Sequence, residues 1–207
     1  MSVQQVINDV SKALESITGI AGIVLGGSRA RGTHRPESDI DIGIYYNESL
    51  GFDVNEVARA ATVLDDEHRE NIVSSLGEWG DWINGGGWIV VQGYHVDLIF
   101  RDVNRVSQVI DDCLAGTVSA HYHTGHPYAY LNVMYMGEIS ICTILHDPMS
   151  ELLHYRQRQS HIRKHSKMRS SAILCLKPLF LLYLLMTTWI KMMCPMLPDI
   201  VFGRFPA

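Results

Sequence analysis

The 207-residue sequence has few cysteines, few prolines and no internal repeat, and each shortage excludes a class of protein. Its four cysteines, Cys113, Cys142, Cys175 and Cys194, are dispersed without a CxxC pair. Neither a zinc knuckle nor a redox motif is therefore spelled out, and reduced thiols in a cytosol are the simpler reading. Seven prolines against 17 glycines, with 47% apolar and 19% charged residues, exclude collagen, coiled coil and disordered chain, and leave an ordinary globular composition able to bury a core. Residues 1–10 interleave polar and charged residues where a signal peptide has a basic start and an apolar run. Secretion finds no support there, and a cytoplasmic location is expected. A formal net charge of −5 lacks the basic excess that phosphate-backbone binding needs, so no nucleic acid is expected as partner.

The charge is split along the chain. Residues 1–150 carry 8 Lys and Arg against 20 Asp and Glu, a net of −12; residues 151–207 carry 9 against 2, a net of +7. The sequence thus divides into an acidic domain, 1–150, and a basic, apolar C-terminal segment, 151–207.

Apolar residues at three- and four-residue spacing over 3–17 predict an amphipathic helix ended by Gly19, and residues 20–25 form a β-branched run entering a turn at Gly26 and Gly27. Ser28 is suited to cap a short helix through Arg31. Over 39–46, Ile40, Ile42 and Ile44 alternate with Asp39, Asp41 and Gly43, the pattern of a half-buried strand with one acidic face. A helix is expected over 53–69 with Asp53 as its cap, then a Gly/Trp-rich loop, a hairpin over 88–100, a helix opened by Asp102, and a further helix over 129–145. This order predicts an α/β (α+β) domain, helices packed on a small mixed sheet, followed by a helical C-terminal segment.

The chemistry concentrates in Gly26-Gly27-Ser28-Arg29-Ala30-Arg31-Gly32 and Ser38-Asp39-Ile40-Asp41. Glycines between strand and helix let the backbone approach a phosphate, and a helix start offers unpaired N–H groups. Asp39 and Asp41, two apart on a strand, leave one face with Cα atoms about 6–7 Å apart. Carboxylates converging to about 4 Å would repel by several kcal/mol at an effective dielectric near ~20, and a divalent cation is the usual relief. Mg²⁺ takes one or two carboxylates and completes its shell with water and phosphate oxygens. Asp97 supplies a third carboxylate between apolar residues of a later strand, where a salt-bridged core residue is the alternative. Arg29, Arg31 and Arg35 lie beside the turn and either neutralise a triphosphate or are solvated surface. His121, His123 and His126 invite a metal reading, but with no carboxylate or Cys partner at usual spacing they read as a loop beside the cleft. Trp79, Trp82 and Trp88 either stack on a base or acceptor or pack over the sheet edge.

Gly27-Ser28, ten intervening residues, Asp39-x-Asp41 and a later Asp97 together resemble the minimal nucleotidyltransferases of the DNA polymerase β superfamily, closest to aminoglycoside and lincosamide nucleotidyltransferases and antitoxin-type protein adenylyltransferases. The resemblance covers about residues 20–100 and extends loosely through Gly137-Glu138 to the 145–148 turn. It implies a mixed sheet flanked by helices and NTP phosphates held by Gly27 and Ser28, with Arg29 and Arg31 beside them. It further implies Mg²⁺ held by Asp39 and Asp41, and Asp97 completing the set and helping to activate the attacking hydroxyl. The implied reaction is two-metal transfer of a nucleoside monophosphate, AMP from ATP being expected, to a hydroxyl of a small aminoglycoside-like acceptor. A protein adenylyltransferase or a nucleotide-binding partner protein is the alternative.

Three readings fit the tail. Residues 172–193 almost reach the ~20 apolar residues of a membrane helix, but Lys177 and Pro178 interrupt them, so membrane association is not expected. A truncated acceptor-binding helical domain is the second. The third is a shifted reading frame, in which codons for residues 186–190 and 193–200 can yield Asp-Asp-Val-Asp and Asp-Val-Ser-Tyr-Ala-Ser-Gly-His.

Overall fold

Val6, Ile7, Val10 and Leu14 recur on one helical face and are all buried, which makes α1 (Val3–Leu14) the first layer over a sheet. Ser2 caps it by accepting from the Gln5 amide. The computed structural model describes residues 2–122 and 129–165. His123, His126, Cys175, Cys194 and the readings placed on the tail beyond residue 165 lie outside the described residues.

β1 (Ile20–Leu25), buried throughout, enters α2 (Gly27–Arg31), and β2 (Ile40–Tyr46) returns antiparallel to it. A single 3-10 turn, Glu48–Leu50, leads to α3 (Val54–Leu64), whose N-cap Asp53 accepts from the Asn55 amide. β3 (Gly86–Val91) and β4 (Tyr94–Asp102) form a hairpin turned by Gln92 and Gly93, both at positive φ (52° and 79°), the backbone twist a two-residue hairpin requires. α4 (Val103–Leu114) is capped by Asp102. A two-stranded ribbon, β5 (Ala120–His121) with β6 (Tyr130–Leu131), precedes α5 (Val133–Ile141), β7 (Thr143–His146) and α6 (Glu151–His165).

The main sheet runs β3-β4-β2-β1-β7, with β2 and β4 parallel and the other pairs antiparallel. One face buries Ile40, Ile42, Ile44, Val96, Leu98 and Phe100 against α1 and α3. The other carries Val24 and Tyr45 against α4, α5 and α6, with Leu152 and Tyr155 of α6 in that second core. This is the mixed sheet flanked by helices that the sequence pattern predicts.

Three local expectations are corrected. The 129–145 stretch is not one helix: α5 ends at Ile141, Cys142 is extended, and residues 143–146 pair with β1 as an edge strand. α3 stops at Leu64 because Asp65 is drawn into the sheet edge, where its carboxylate accepts from the Val90 amide (2.9 Å) and from Arg69 Nε and Nη2 (2.9 and 2.6 Å). Ser28 is not the cap of α2; Gly26 holds that position and Ser28 lies inside the helix.

Candidate active site

The alternation that buries Ile40 and Ile42 beneath the sheet turns Asp41 to the opposite face, and both Asp39 and Asp41 are half-buried. Asp39 immediately precedes β2, and Asp41 is its second residue. In the parallel β2–β4 ladder Asp41 stands directly opposite Asp97, while their neighbours Ile40 and Val96 are paired and fully buried. Parallel neighbours share a face, so Asp41 and Asp97 project from one side of two adjacent strands about 4.8 Å apart, with Asp39 just ahead of the first of them.

On the far side of β2, β1 delivers the glycine turn. The Gly26 amide donates to the Asp41 carbonyl (2.8 Å), extending the ladder by one bond. Gly27 has φ +58°, and a Cβ built on it would lie 1.8 Å from Asp41 Oδ2. A side chain there would be strained by the backbone angle and would displace the Asp41 carboxylate, so the turn backbone lies against that carboxylate. On the other side of β4, Trp88 stands opposite Asp97 and Trp79 stacks on Trp88, ring centroids 4.6 Å apart. Across the sheet the order is an aromatic pair, Asp97, Asp41 and the glycine turn.

The side chains of Arg29 and Arg31 donate to backbone carbonyls of the glycine turn and of the loop that follows it. Arg29 Nε donates to the Asp39 carbonyl (3.0 Å), and its Nη2 donates to the carbonyls of Ser38 and Pro36. Arg31 Nε donates to the Gly27 carbonyl (3.2 Å). The Arg35 amide and Ser38 close the intervening loop reciprocally, Arg35 N donating to Ser38 Oγ and Ser38 N to the Arg35 carbonyl (3.0 and 3.1 Å). No sequence signal distinguishes these roles, because the acceptors are backbone carbonyls.

His121 stacks on Trp82 with centroids 3.8 Å apart, and its Nε2 lies 2.7 Å from Ser119 Oγ. Trp82 packs within the second core, where its carbonyl accepts from the Tyr135 hydroxyl (2.6 Å). Pattern reading also missed a buried arginine with a half-buried partner farther along the same sheet face. Arg101, 5% exposed, forms two bonds with Glu138 (2.6 and 2.7 Å) and ties β4 to α5. Its signal was the lone Arg101 among the apolar residues of β4.

Among the described residues, no three His, Cys, Asp or Glu side chains gather closely enough to hold a metal by themselves. Asp39, Asp41 and Asp97 offer carboxylate oxygens, and Gly27 presents backbone alone beside Asp41. Such a set fits a hard cation that draws most of its ligands from water and phosphate oxygens rather than from protein.

Residues 7–113 match the nucleotidyltransferase domain family. The chain belongs to that family. The nucleotidyltransferase match spans α1 to α4 and so contains the glycine turn and all three carboxylates. No curated protein matches the chain. Among solved structures, it is similar to the Elizabethkingia meningoseptica CdnE cyclic dinucleotide synthase with GTP and Apcpp, at 18% identity and a TM-score of 0.28, over 63% of this chain and 49% of that one. The nucleotidyltransferase chain thus matches about half the length of that protein. Among its described residues, no helix is long and apolar enough to cross a membrane.

Proposed function

We propose that this chain transfers a nucleoside monophosphate, AMP from ATP in the first instance, to a hydroxyl of a small acceptor such as an aminoglycoside. The observation that carries the reading is the register: Asp41 faces Asp97 across β2 and β4, with the Gly27 backbone against Asp41. Asp39 and Asp41 would hold Mg²⁺, which when bound neutralises the triphosphate and polarises its α-phosphorus. Gly27 and Ser28 receive the phosphates at the turn. Asp97 lies on the acceptor side, where its carboxylate takes the hydroxyl proton as oxygen attacks the α-phosphorus. One phosphorus–oxygen bond forms, the bond to the bridging oxygen breaks, and pyrophosphate leaves.

Residues 1–150 supply this chemistry in the proposal, and 151–207 stand apart from it as a truncated or frame-shifted helical segment. A cytoplasmic setting suits a reaction fed by ATP and Mg²⁺, and free Cys113 and Cys142 are compatible with it. The test is incubation of the full chain with each labelled NTP and Mg²⁺, against a panel of aminoglycosides, lincosamides and candidate protein acceptors. Label on a small hydroxylated acceptor is the expected result. Label confined to protein moves the assignment to protein adenylylation, and failure of every NTP to bind overturns it.

A further inference from the structure

The Arg29 guanidinium reaches from the phosphate turn to the other half of the site. It originates on α2, one residue after Ser28, and its fork meets the backbone carbonyls of Pro36, Ser38 and Asp39. The loop it grips has no helix or strand of its own between α2 and β2. Asp39 stands just outside β2, one residue before the β2–β4 pairing begins at Ile40 and Val96. The Arg29 contact to the Asp39 carbonyl adds a restraint from the side of the glycine turn.

We infer that Arg29 is a positioning residue that fixes Asp39 relative to the Gly26–Ser28 turn, setting the distance between the cation's carboxylate and the phosphates' cradle. This rests on the reading that Asp39 and Asp41 hold the divalent cation. Guanidinium geometry is the reason for the residue type. A planar fork spans several carbonyls at once, whereas an ammonium supplies a point charge without that span. Arg31, two residues on, grips only the turn's own Gly27 carbonyl and cannot link the two halves.

The experiment is Mn²⁺ titration by electron paramagnetic resonance on the full chain, without turnover, comparing wild type, R29K and R29Q well below every thermal midpoint. Positioning predicts that both variants bind Mn²⁺ about tenfold more weakly or worse, the size of loss that follows removal of a group orienting a metal ligand. It also predicts that metal-free ATP affinity stays the same in R29K. Wild-type Mn²⁺ affinity in R29K would show that charge alone matters and would overturn the inference, as would unchanged affinity in both. If neither variant folds, Arg29 is a fold residue and the inference falls. Failure of the wild type to bind Mn²⁺ is visible separately and removes the underlying functional reading with it.

Discussion

Asp65, at the end of α3, and the row of Asp39, Asp41 and Asp97 on the sheet face are both acidic, yet their surroundings differ in kind. Asp65 is excluded from solvent, and its oxygens accept from Val90, Arg69 and Glu67 amides and from the Arg69 side chain. Those donors, the Arg69 guanidinium first, hold its carboxyl well below the usual carboxylate range. The other three are half-buried, and Asp41 stands opposite Asp97 across β2 and β4 with Asp39 just ahead of β2. A carboxylate enclosed by donors serves the fold, whereas carboxylates set side by side in neighbouring strands repel unless a proton, a donor or a cation relieves them.

The largest separation between the two regions should come from Asp41→Ala. Transfer should fall by at least about a hundredfold, beyond what loss of a merely orienting group costs, and the thermal midpoint should move far less than in an Asp65 variant. Turnover and melting measured on one preparation check this; full activity would remove Asp41 from the cation site. Asp97→Asn comes next. It keeps the shape and removes the charge, so turnover should drop about a hundredfold while NTP affinity falls little, the mark of a group acting in the transition state. A variant that melts early yet turns over normally below its midpoint would move Asp97 into the class of Asp65.

Asp65→Asn sharpens the comparison from the other side. It should cost about 3 kcal/mol by weakening bonds to the Val90 and Arg69 amides and leaving Arg69 without its counter-charge. Because the folded-state pKa is depressed, the wild-type contribution is fully present above the unfolded carboxyl value of about 3.9 and is lost as pH falls below it toward the folded value. Urea midpoints taken from pH 5 downward should therefore converge for wild type and variant. Parallel curves would mean that the Asp65 contribution is not ionic.

The parts of the molecule that were legible in the sequence are those whose residue pattern and burial coincide. Ile40, Ile42, Ile44 and Val96, Leu98, Phe100 alternate in the letters and are all buried in the fold, so the faces of β2 and β4, and with them the side on which the aspartates stand, followed directly. β7 was hidden because residues 129–145 are apolar on every side: Val133, Met134, Tyr135 and Ile139 are buried in α5 while Ile144 and Leu145 pack from a strand. Asp65 looked like one more helical surface charge, since its partners at Val90 and Arg69 are brought together only by the sheet edge. Arg29 was indistinguishable from Arg31 for a related reason, as carbonyl acceptors leave no trace in residue type.

The smallest expected effects lie at the turn, where Gly27 and Ser28 separate fold from binding within two residues. Gly27→Ala forces an L residue to φ +58° and drives its Cβ into Asp41, so it should cost about 1–2 kcal/mol of stability and disturb nucleotide binding as well. Ser28→Ala leaves the backbone free to keep its path. Gly26, not Ser28, caps α2, so removal of the hydroxyl should change stability by less than about 0.5 kcal/mol. If the hydroxyl meets a phosphate oxygen, NTP affinity should fall by about 1.5 kcal/mol, roughly tenfold, the low end for a bond to a charged acceptor. Calorimetric titration of the variant with NTP and Mg²⁺, paired with its thermal midpoint, distinguishes the cases. An affinity loss at constant stability places Ser28 with the carboxylate row, whereas unchanged affinity with a lowered midpoint places it with Asp65 among the groups that only hold the fold.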